Sequence, residues 1–488
     1  MVRRSAAALA VAALLAALLV AAPSATSAAA VVPNAGLSSS SGWTVSSGVV
    51  SSFDRSRSAL RVRARSAKAW TVTAASSRQG ATVRSGTTVS IAGDVAASRS
   101  GLGVRVELRE VHPRTGKTVQ SAIARRTTGS GFQWYGAELT TRSSTSRIRV
   151  VVTMRATGGP TLALRGFRVR LGAPSTALWV PDSPARQWVA HASPSDPRRS
   201  AIDTGIARRA NSMWMLGEEN PYARLASWVG SAQASFATAV VTPYYVPRRW
   251  DGLSDEAGAP TLDAYRRYTD RIADAIGSAR AVVVLEPDAL WFYAQVKRRV
   301  AADGDYEQDG HAYTAADVST RRSALAHAVK TYASLPRTTV YVDAGTSSGA
   351  VTPAEMAAAL KSVGVGGPRT GFAVNVSSYA PEASITRWAT EVRSELSRIG
   401  VRDARYVVDT GRNGNPFWTG HEPMSWCNPE GQRLGLVPGR STAAQRAQGR
   451  DWNLWVKGPG ESDGDCGVGP GTIGGQFMPD VAAELLGL

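Results

Sequence analysis

From about residue 178 the chain repeats one pattern: a short apolar run that ends in a polar or charged residue, then an amphipathic stretch of helical length. The runs are Ala239–Val246, Ala281–Leu285, Thr338–Val342, Gly371–Val376, Tyr406–Val408 and Trp452–Val456. Between several of them lie segments suited to helices: Leu262–Ile276, Ala315–Tyr332, Pro353–Val363 and Ala383–Ile399. Thr352 ahead of Pro353 is a good N-cap followed by proline at the first helical position, where a missing N–H costs nothing. Strand and helix in alternation imply a parallel sheet wrapped by helices. At least six such units in about three hundred residues favour closure into a barrel over an open sheet.

The first part of the chain has a different texture. Arg3 and Arg4, an apolar run Ala6–Ala22 and small residues around Ala25–Ala30 suit a secretory signal over residues 1–30. No later stretch is apolar for long enough to span a bilayer, so an extracellular, soluble mature protein is expected, with no membrane partner. Residues 31–172 are rich in Ser, Thr, Val, Gly and Arg, with alternating runs such as Ala59–Ala64, Thr87–Ala92, Val104–Arg109, Arg147–Met154 and Leu162–Leu171. This is the signature of an antiparallel β-sandwich. Asn34–Gly36, Gly42–Thr44 and Ser85–Val95 loosely resemble a carbohydrate-binding jelly-roll module, in which Trp43, Trp70, Trp134 and Tyr135 are candidates for stacking on sugar rings. The catalytic part is expected over 173–488, after a short break at Gly172–Thr176.

The formal charge of the chain is +18, and residues 31–172 hold 22 Lys and Arg against 5 Asp and Glu, a net of +17. A basic module on an exported protein fits an anionic surface such as a cell wall, or simply a solvated arginine-rich face. Nucleic acid is excluded as a partner by export and by the lack of a basic helix with interleaved aromatics. Two cysteines, Cys427 and Cys466, are expected to pair in an oxidising compartment. With five scattered histidines, and neither HExxH nor CxxC, no metal site and no cofactor is expected.

In barrels of parallel strands the chemistry sits at the C-terminal strand ends. Here those ends carry Asp288, Asp343, Asn375 and Asp409, with Asp463 a little beyond the last run, and Trp214, Trp250, Trp418 and Trp426 fall in the same loops. Carboxyls with tryptophan platforms suit a sugar chain, whose C–H faces stack on indole and whose hydroxyls bond to carboxylates. Cleaving a glycosidic bond needs two carboxyls, one of them protonated to assist the leaving oxygen.

The motifs now sharpen the reading. VVVLEPDAL at Val282–Leu290, YVDAGTSSG at Tyr341–Gly349, GFAVNVSSY at Gly371–Tyr379, YVVDTGRNG at Tyr406–Gly414, SWCNPEGQRLG at Ser425–Gly435 and LWVKGPGESDG at Leu454–Gly464 follow LWVPDSPARQWVA at Leu178–Ala190. In this order they resemble glycoside hydrolase family 6, the inverting cellulases. The resemblance implies a distorted parallel (β/α) barrel that cleaves β-1,4-glucan by inversion. Asp288 would be the general acid, and Asp463 would assist the attacking water from the opposite face, directly or through a relay. Tyr244 matches a tyrosine near the cleaved sugar; Trp214, Trp426, Lys457 and Glu461 match sugar-holding positions, and Asn375 sits on the family's Asn-bearing strand. Cys427 and Cys466 match the later of two family disulfides. Asp409 with Arg412 reads as an ion pair shaping the site or as substrate contacts, and Asp343 as structural.

Three departures stand out. The family's Asp-Cys pair after the second strand is replaced by a segment ending Arg248-Arg249-Trp250-Asp251-Gly252, where a one-residue slip would make Asp251 the carboxyl that tunes the acid. The water-positioning serine is represented only by Ser254, and a family His-x-x-Trp reads Thr346-Ser347-Ser348-Gly349. A short Asp465–Met478 segment, where exo-acting members have a long loop, implies an open groove and internal cleavage. The expectation is therefore a secreted endo-β-1,4-glucanase; a weakened hydrolase that binds wall polysaccharide is the alternative.

Overall fold

A computed structural model of the chain describes residues 32, 34–35, 37, 39, 41–65, 70–76, 80–128, 131–172, 176–217, 221–247, 258–304, 306–308, 311–347, 350–415 and 426–488. Two compact units divide it, the first within the chain up to Ala173 and the second containing Pro174–Leu488.

Among the described residues the chain up to Ala173 carries eleven strands: β1 (Trp43–Val45), β2 (Val49–Asp54), β3 (Ala59–Ala64), β4 (Trp70–Ser76), β5 (Val83–Arg84), β6 (Thr88–Ala97), β7 (Gly103–Val111), β8 (Thr118–Thr127), β9 (Gln133–Thr140), β10 (Thr145–Ala156) and β11 (Thr161–Leu171). They form two sheets in the orders β1-β4-β10-β7-β8, with β5 beside β10, and β2-β3-β11-β6-β9. The registered pairs are antiparallel. Alternation drives this: in β10, Ser146, Ile148, Val150, Val152 and Met154 are buried while Arg147, Arg149, Thr153 and Arg155 keep exposure. Two of the candidate sugar platforms are core instead. Tyr135 is fully buried. Trp43 packs its ring 5.6 Å from that of Phe167 and donates its indole N–H to Asn34 O.

In the second unit α1 (Pro184–His191) and α2 (Arg199–Ile202) precede β12 (Met213–Met215). There follow α3 (Pro221–Ala234), β13 (Ala239–Pro243), α4 (Leu262–Ile276), β14 (Ala281–Leu285), α5 (Ala289–Asp303), a hairpin of β15 (Tyr306–Gln308) and β16 (His311–Tyr313), α6 (Ala315–Ser334), β17 (Thr338–Asp343), α7 (Pro353–Ser362), β18 (Thr370–Val374), α8 (Glu382–Arg398), β19 (Arg405–Asp409), β20 (Gly439–Arg440), α9 (Ala443–Ala447), β21 (Arg450–Leu454) and α10 (Pro479–Leu485). The expected cap at α7 forms as a capping box: Glu355 N–H donates to Thr352 Oγ1 at 3.2 Å and Thr352 N–H to Glu355 Oε2 at 2.8 Å.

Seven parallel strands lie in the order β12-β13-β14-β17-β18-β19-β21, with β20 antiparallel at the end. The curl brings β12 to the end of β21: Ser212 N–H donates to Trp455 O at 3.1 Å, and the Trp214 indole to Val456 O at 2.8 Å. The result is a distorted barrel rather than a flat sheet. β13, β14 and β21 are buried throughout, on both faces, as parallel strands inside a helix-covered sheet are. Val240, Val282, Val284, Tyr341 and Val407 fill the interior, while Val241, Val283, Leu285, Val342 and Val408 meet the helices. Three expected strands differ at their ends by two residues or more, among them Gly371–Val376, whose strand stops at Val374. The Ala239–Val246 run leaves the ladder after Pro243 because Tyr244–Val246 bond elsewhere. β21 starts two residues early, at Arg450, whose charge hid it although the strand is buried throughout.

Candidate active site

The turn after β14 is built on two residues in the left-handed region, Glu286 (φ 49°) and Asp288 (φ 66°), on either side of Pro287. Side chains rarely adopt this backbone, and its persistence at a strand end marks a site where position matters more than local comfort. It leaves Asp288 exposed at the start of α5, where its side chain makes no cap hydrogen bond. Helix capping therefore does not explain this carboxyl.

Asp343, read from the sequence as structural, stands directly against it. Its Oδ2 accepts the backbone N–H of Asp288 at 2.8 Å. Burial first, and the Asp288 charge second, push the Asp343 carboxyl well above its usual range. Like charges this close resist ionising together. Asp251, the expected tuning carboxyl, lies outside the described residues, as do Trp250, Ser254 and Trp418.

Asp463 sits in a cage of donors. Its Oδ2 accepts from Arg412 Nη1 at 2.7 Å, the Tyr379 hydroxyl at 2.8 Å and Asn428 N–H at 3.1 Å, while Lys457 Nζ is 3.6 Å from Oδ1. Its side chain is 5% exposed and that of Arg412 3%. Burial alone would raise this carboxyl, but Arg412 and Lys457 outweigh it and hold Asp463 below its usual range. Arg412 thus pairs with Asp463, and the expected Asp409–Arg412 ion pair does not form. Asp409 instead accepts backbone N–H groups of Ser377 (3.0 Å), Gly411 (3.1 Å) and Lys457 (3.1 Å), tying three strand-end loops together. Cys427 and Cys466 are bridged. The bridge fastens Asn428, whose Oδ1 accepts Asp463 N–H at 2.8 Å.

Among the other expected contact residues, Trp214 and Tyr244 meet edge to face with ring centroids 5.3 Å apart. Trp426 is 39% exposed. Burial lowers the Lys457 ammonium, and raises the Glu461 carboxyl against the opposing pull of Lys457. Gly458 makes room for Glu461, since a Cβ there would lie 2.2 Å from Glu461 Oε1. Asn375 departs from expectation. It is fully buried, its Nδ2 donates to Asp409 O at 2.9 Å and its Oδ1 accepts Ala380 N–H at 3.0 Å. Its amide is engaged with backbone, so it shapes the loop bearing Tyr379 rather than facing a ligand.

Sequence reasoning missed Glu286, Tyr379 and Asn428 as site residues, although all three lie inside the quoted motifs. Glu286 is fully buried, and its carboxylate accepts the backbone N–H groups of Tyr245 (2.9 Å) and Val246 (2.9 Å). The Tyr268 hydroxyl accepts Tyr244 N–H at 3.2 Å and donates to Met215 O at 2.5 Å. Together they fix Tyr244 relative to the Asp288 turn. Among the described residues no group of three His, Cys, Asp or Glu side chains is arranged to hold a metal ion.

Comparison with known proteins bears directly on this carboxyl-rimmed barrel. The model of glycosyl hydrolases family 6 matches residues 175–486. The chain belongs to this family. Endoglucanase 1 of Streptomyces halstedii is 34% identical to this family 6 chain over 309 residues, 63% of it and 87% of the relative. Endoglucanase A of Thermobispora bispora is 32% identical over 348 residues, 70% and 67% of the two chains. The solved endoglucanase Cel6 of Mycobacterium tuberculosis, in complex with a thio-linked cellobioside, superposes with a TM-score of 0.52 at 30% identity, over 64% of this family 6 chain and 96% of that one. Among the described residues no helix is long and apolar enough to cross a membrane.

Proposed function

We propose that this family 6 hydrolase cleaves β-1,4-glucosidic bonds within glucan chains, with inversion. The observation that carries the reading is Asp288, exposed at the C-terminal rim of the barrel with a second carboxyl, Asp343, bonded to its backbone. In this reading Asp288 gives its proton to the leaving glycosidic oxygen, a step a carboxyl can take near neutrality only if something favours its protonated form. Asp343 supplies that bias, because the pair binds one proton more readily than a lone carboxylate would.

Asp463 takes the other face of the sugar. Held ionised by Arg412 and Lys457, it is a weak proton acceptor and a strong fixed charge. Its part is to orient the attacking water and favour positive charge at the anomeric carbon, with the proton passing onward by relay. Trp214, Tyr244, Trp426, Lys457 and Glu461 hold the sugar residues on either side.

Export and open-groove cleavage complete the reading, and the basic sandwich holds the enzyme at an anionic wall surface. Viscosity and reducing ends, followed together on soluble mixed-linkage glucan and carboxymethylcellulose, test it. Viscosity should fall well before reducing ends accumulate, and the first product anomer should be α by nuclear magnetic resonance. Release of no sugar from either polymer by folded protein would reject the enzymatic reading and leave wall binding as the alternative.

A further inference from the structure

Two of the rings placed at the barrel rim stand on one side of Asp288: Trp214 lies on β12 and Tyr244 just past β13, while Asp288 follows β14. A glucan cut beside Asp288 also extends the other way, toward β17, past the corner where Asp343 meets Asp288. The segment that follows Asp343 offers that stretch no ring of its own. Residues 344–350 are Ala, Gly, Thr and Ser alone.

Trp291 stands on that side. It is the third residue of α5, one helical turn past Asp288. Side chains on a helix lean toward its N-terminus, and the N-terminus of α5 lies at the rim. The indole therefore leans toward the proposed proton donor. Gly345, two residues beyond Asp343, makes room for it: a Cβ there would lie 2.8 Å from Trp291 Cδ1. Part of the ring also packs against the two apolar clusters that flank α5, so its position is held before any sugar arrives.

Two features separate this ring from an ordinary packing residue. Among the described residues of β14 to α5, β17 to α7 and β18 to α8, it is the one aromatic side chain that keeps exposure; Phe292, Tyr293, Tyr341, Phe372, Tyr379 and Trp388 are buried. Its indole N–H also meets no acceptor among the described residues. The indoles of Trp214, Trp388 and Trp455 each donate to a backbone oxygen, at 2.8, 3.1 and 3.0 Å. An indole is an apolar face with one polar handle, and here the handle is open to a hydroxyl.

We propose that Trp291 is the platform for the sugar on the leaving side of the cut bond, stacking on its C–H face. The inference rests on the reading of Asp288 as proton donor in glucan cleavage, and it names the residue that sets how far binding beyond the cut bond contributes to the rate.

Two substrates separate this role from packing. Cellopentaose places sugars on both sides of the bond, whereas β-cellobiosyl fluoride has a lone fluoride where the leaving sugar would be. Trp291→Ala should lower kcat/KM on cellopentaose about tenfold, the scale of one aromatic stack, and change it less than twofold on the fluoride. Trp291→Leu, which keeps apolar bulk beside Gly345, should lose as much as Ala, and Trp291→Phe should keep most of the rate. These two decide the question if the Ala variant folds poorly. An equal fall on both substrates, or a Leu variant as active as wild type on cellopentaose, would overturn the platform while leaving the hydrolase reading intact. Wild-type protein that cleaves neither substrate would overturn both.

Discussion

Asp343 Oδ2 accepts the backbone N–H of Asp288 at 2.8 Å, so two carboxyl groups from adjacent strands share one corner of the barrel rim. The Asp343 carboxyl is buried and pushed well up, and the Asp288 charge is part of the cause. The pair titrates as a unit. Asp343→Asn keeps an oxygen for the N–H but removes the like charge, so the last proton leaves the site at lower pH. The alkaline limb of the kcat/KM profile should move toward acid. An alkaline limb unmoved in this variant would assign the tuning to another group, with Asp251 the first to try.

Asp288→Ala removes the proposed proton donor. Turnover on ordinary β-glucans should fall by roughly 10²–10⁴-fold, the usual contribution of a placed general acid. Substrates with a very acidic leaving group should be spared most of that loss. A uniform loss on both substrate types would argue that Asp288 holds the site's shape instead.

Asp463 and Arg412 predict a pH dependence of stability. The folded carboxyl is held below its ordinary 3.8, so its contribution is present above that value and is lost as pH falls through the lower folded one. Arg412→Gln leaves a buried carboxylate without its main partner, at a cost of about 3–5 kcal/mol near neutrality. Burial then raises Asp463, so the deficit should narrow as acid protonates it. Thermal melts of both proteins from pH 7 to pH 3 read this directly. A deficit constant across that range would mean that Arg412 acts by packing alone.

Glu286 is predicted to position rather than react. Glu286→Leu strands the N–H groups of Tyr245 and Val246 in the interior, each worth about 1–3 kcal/mol. It should loosen Tyr244 as well. Glu286→Gln restores an acceptor oxygen. The expected order in kcat/KM is wild type, Gln, then Leu, with the pH profile of the Gln variant unchanged. A shifted profile in Gln would give Glu286 a part in the proton chemistry.

The Cys427–Cys466 bridge closes a separation of 39 residues and fastens Asn428 to the Asp463 loop. Replacing both cysteines by serine should cost about 2–5 kcal/mol of stability. It should also lower kcat at temperatures where the variant is fully folded. Loss of stability with kcat intact would separate the bridge from the cage.

Much of this site could be read along the chain. Asp288 could be placed at the barrel rim because it lies in the VVVLEPDAL motif just past the buried strand β14. Asp463 and the cysteine pair were legible from their motifs. Asp343, read as structural, is indeed buried and bonded to backbone, and its place beside Asp288 comes from register. Leu285 of β14 lies opposite Val342 of β17, which sets Asp343 beside the turn that carries Asp288. One of two open readings paired Arg412 with Asp409, three residues away, but its partner lies 51 residues along. Asn375 was placed among the contact residues by its strand end and by the family's Asn-bearing strand, but burial placed it among backbone groups.

By itself, then, the sequence determined the layer pattern and the inventory of chemistry. Alternating apolar residues specify which face of a strand is buried, helical spacing specifies the crossovers, and both are properties of neighbours in the chain. Only the tertiary structure decided which carboxyl meets a second carboxyl and which meets a guanidinium. Those outcomes depend on through-space distance and on the loss of water around each charge. Strand register and loop closure set both quantities, and spacing along the chain does not report them.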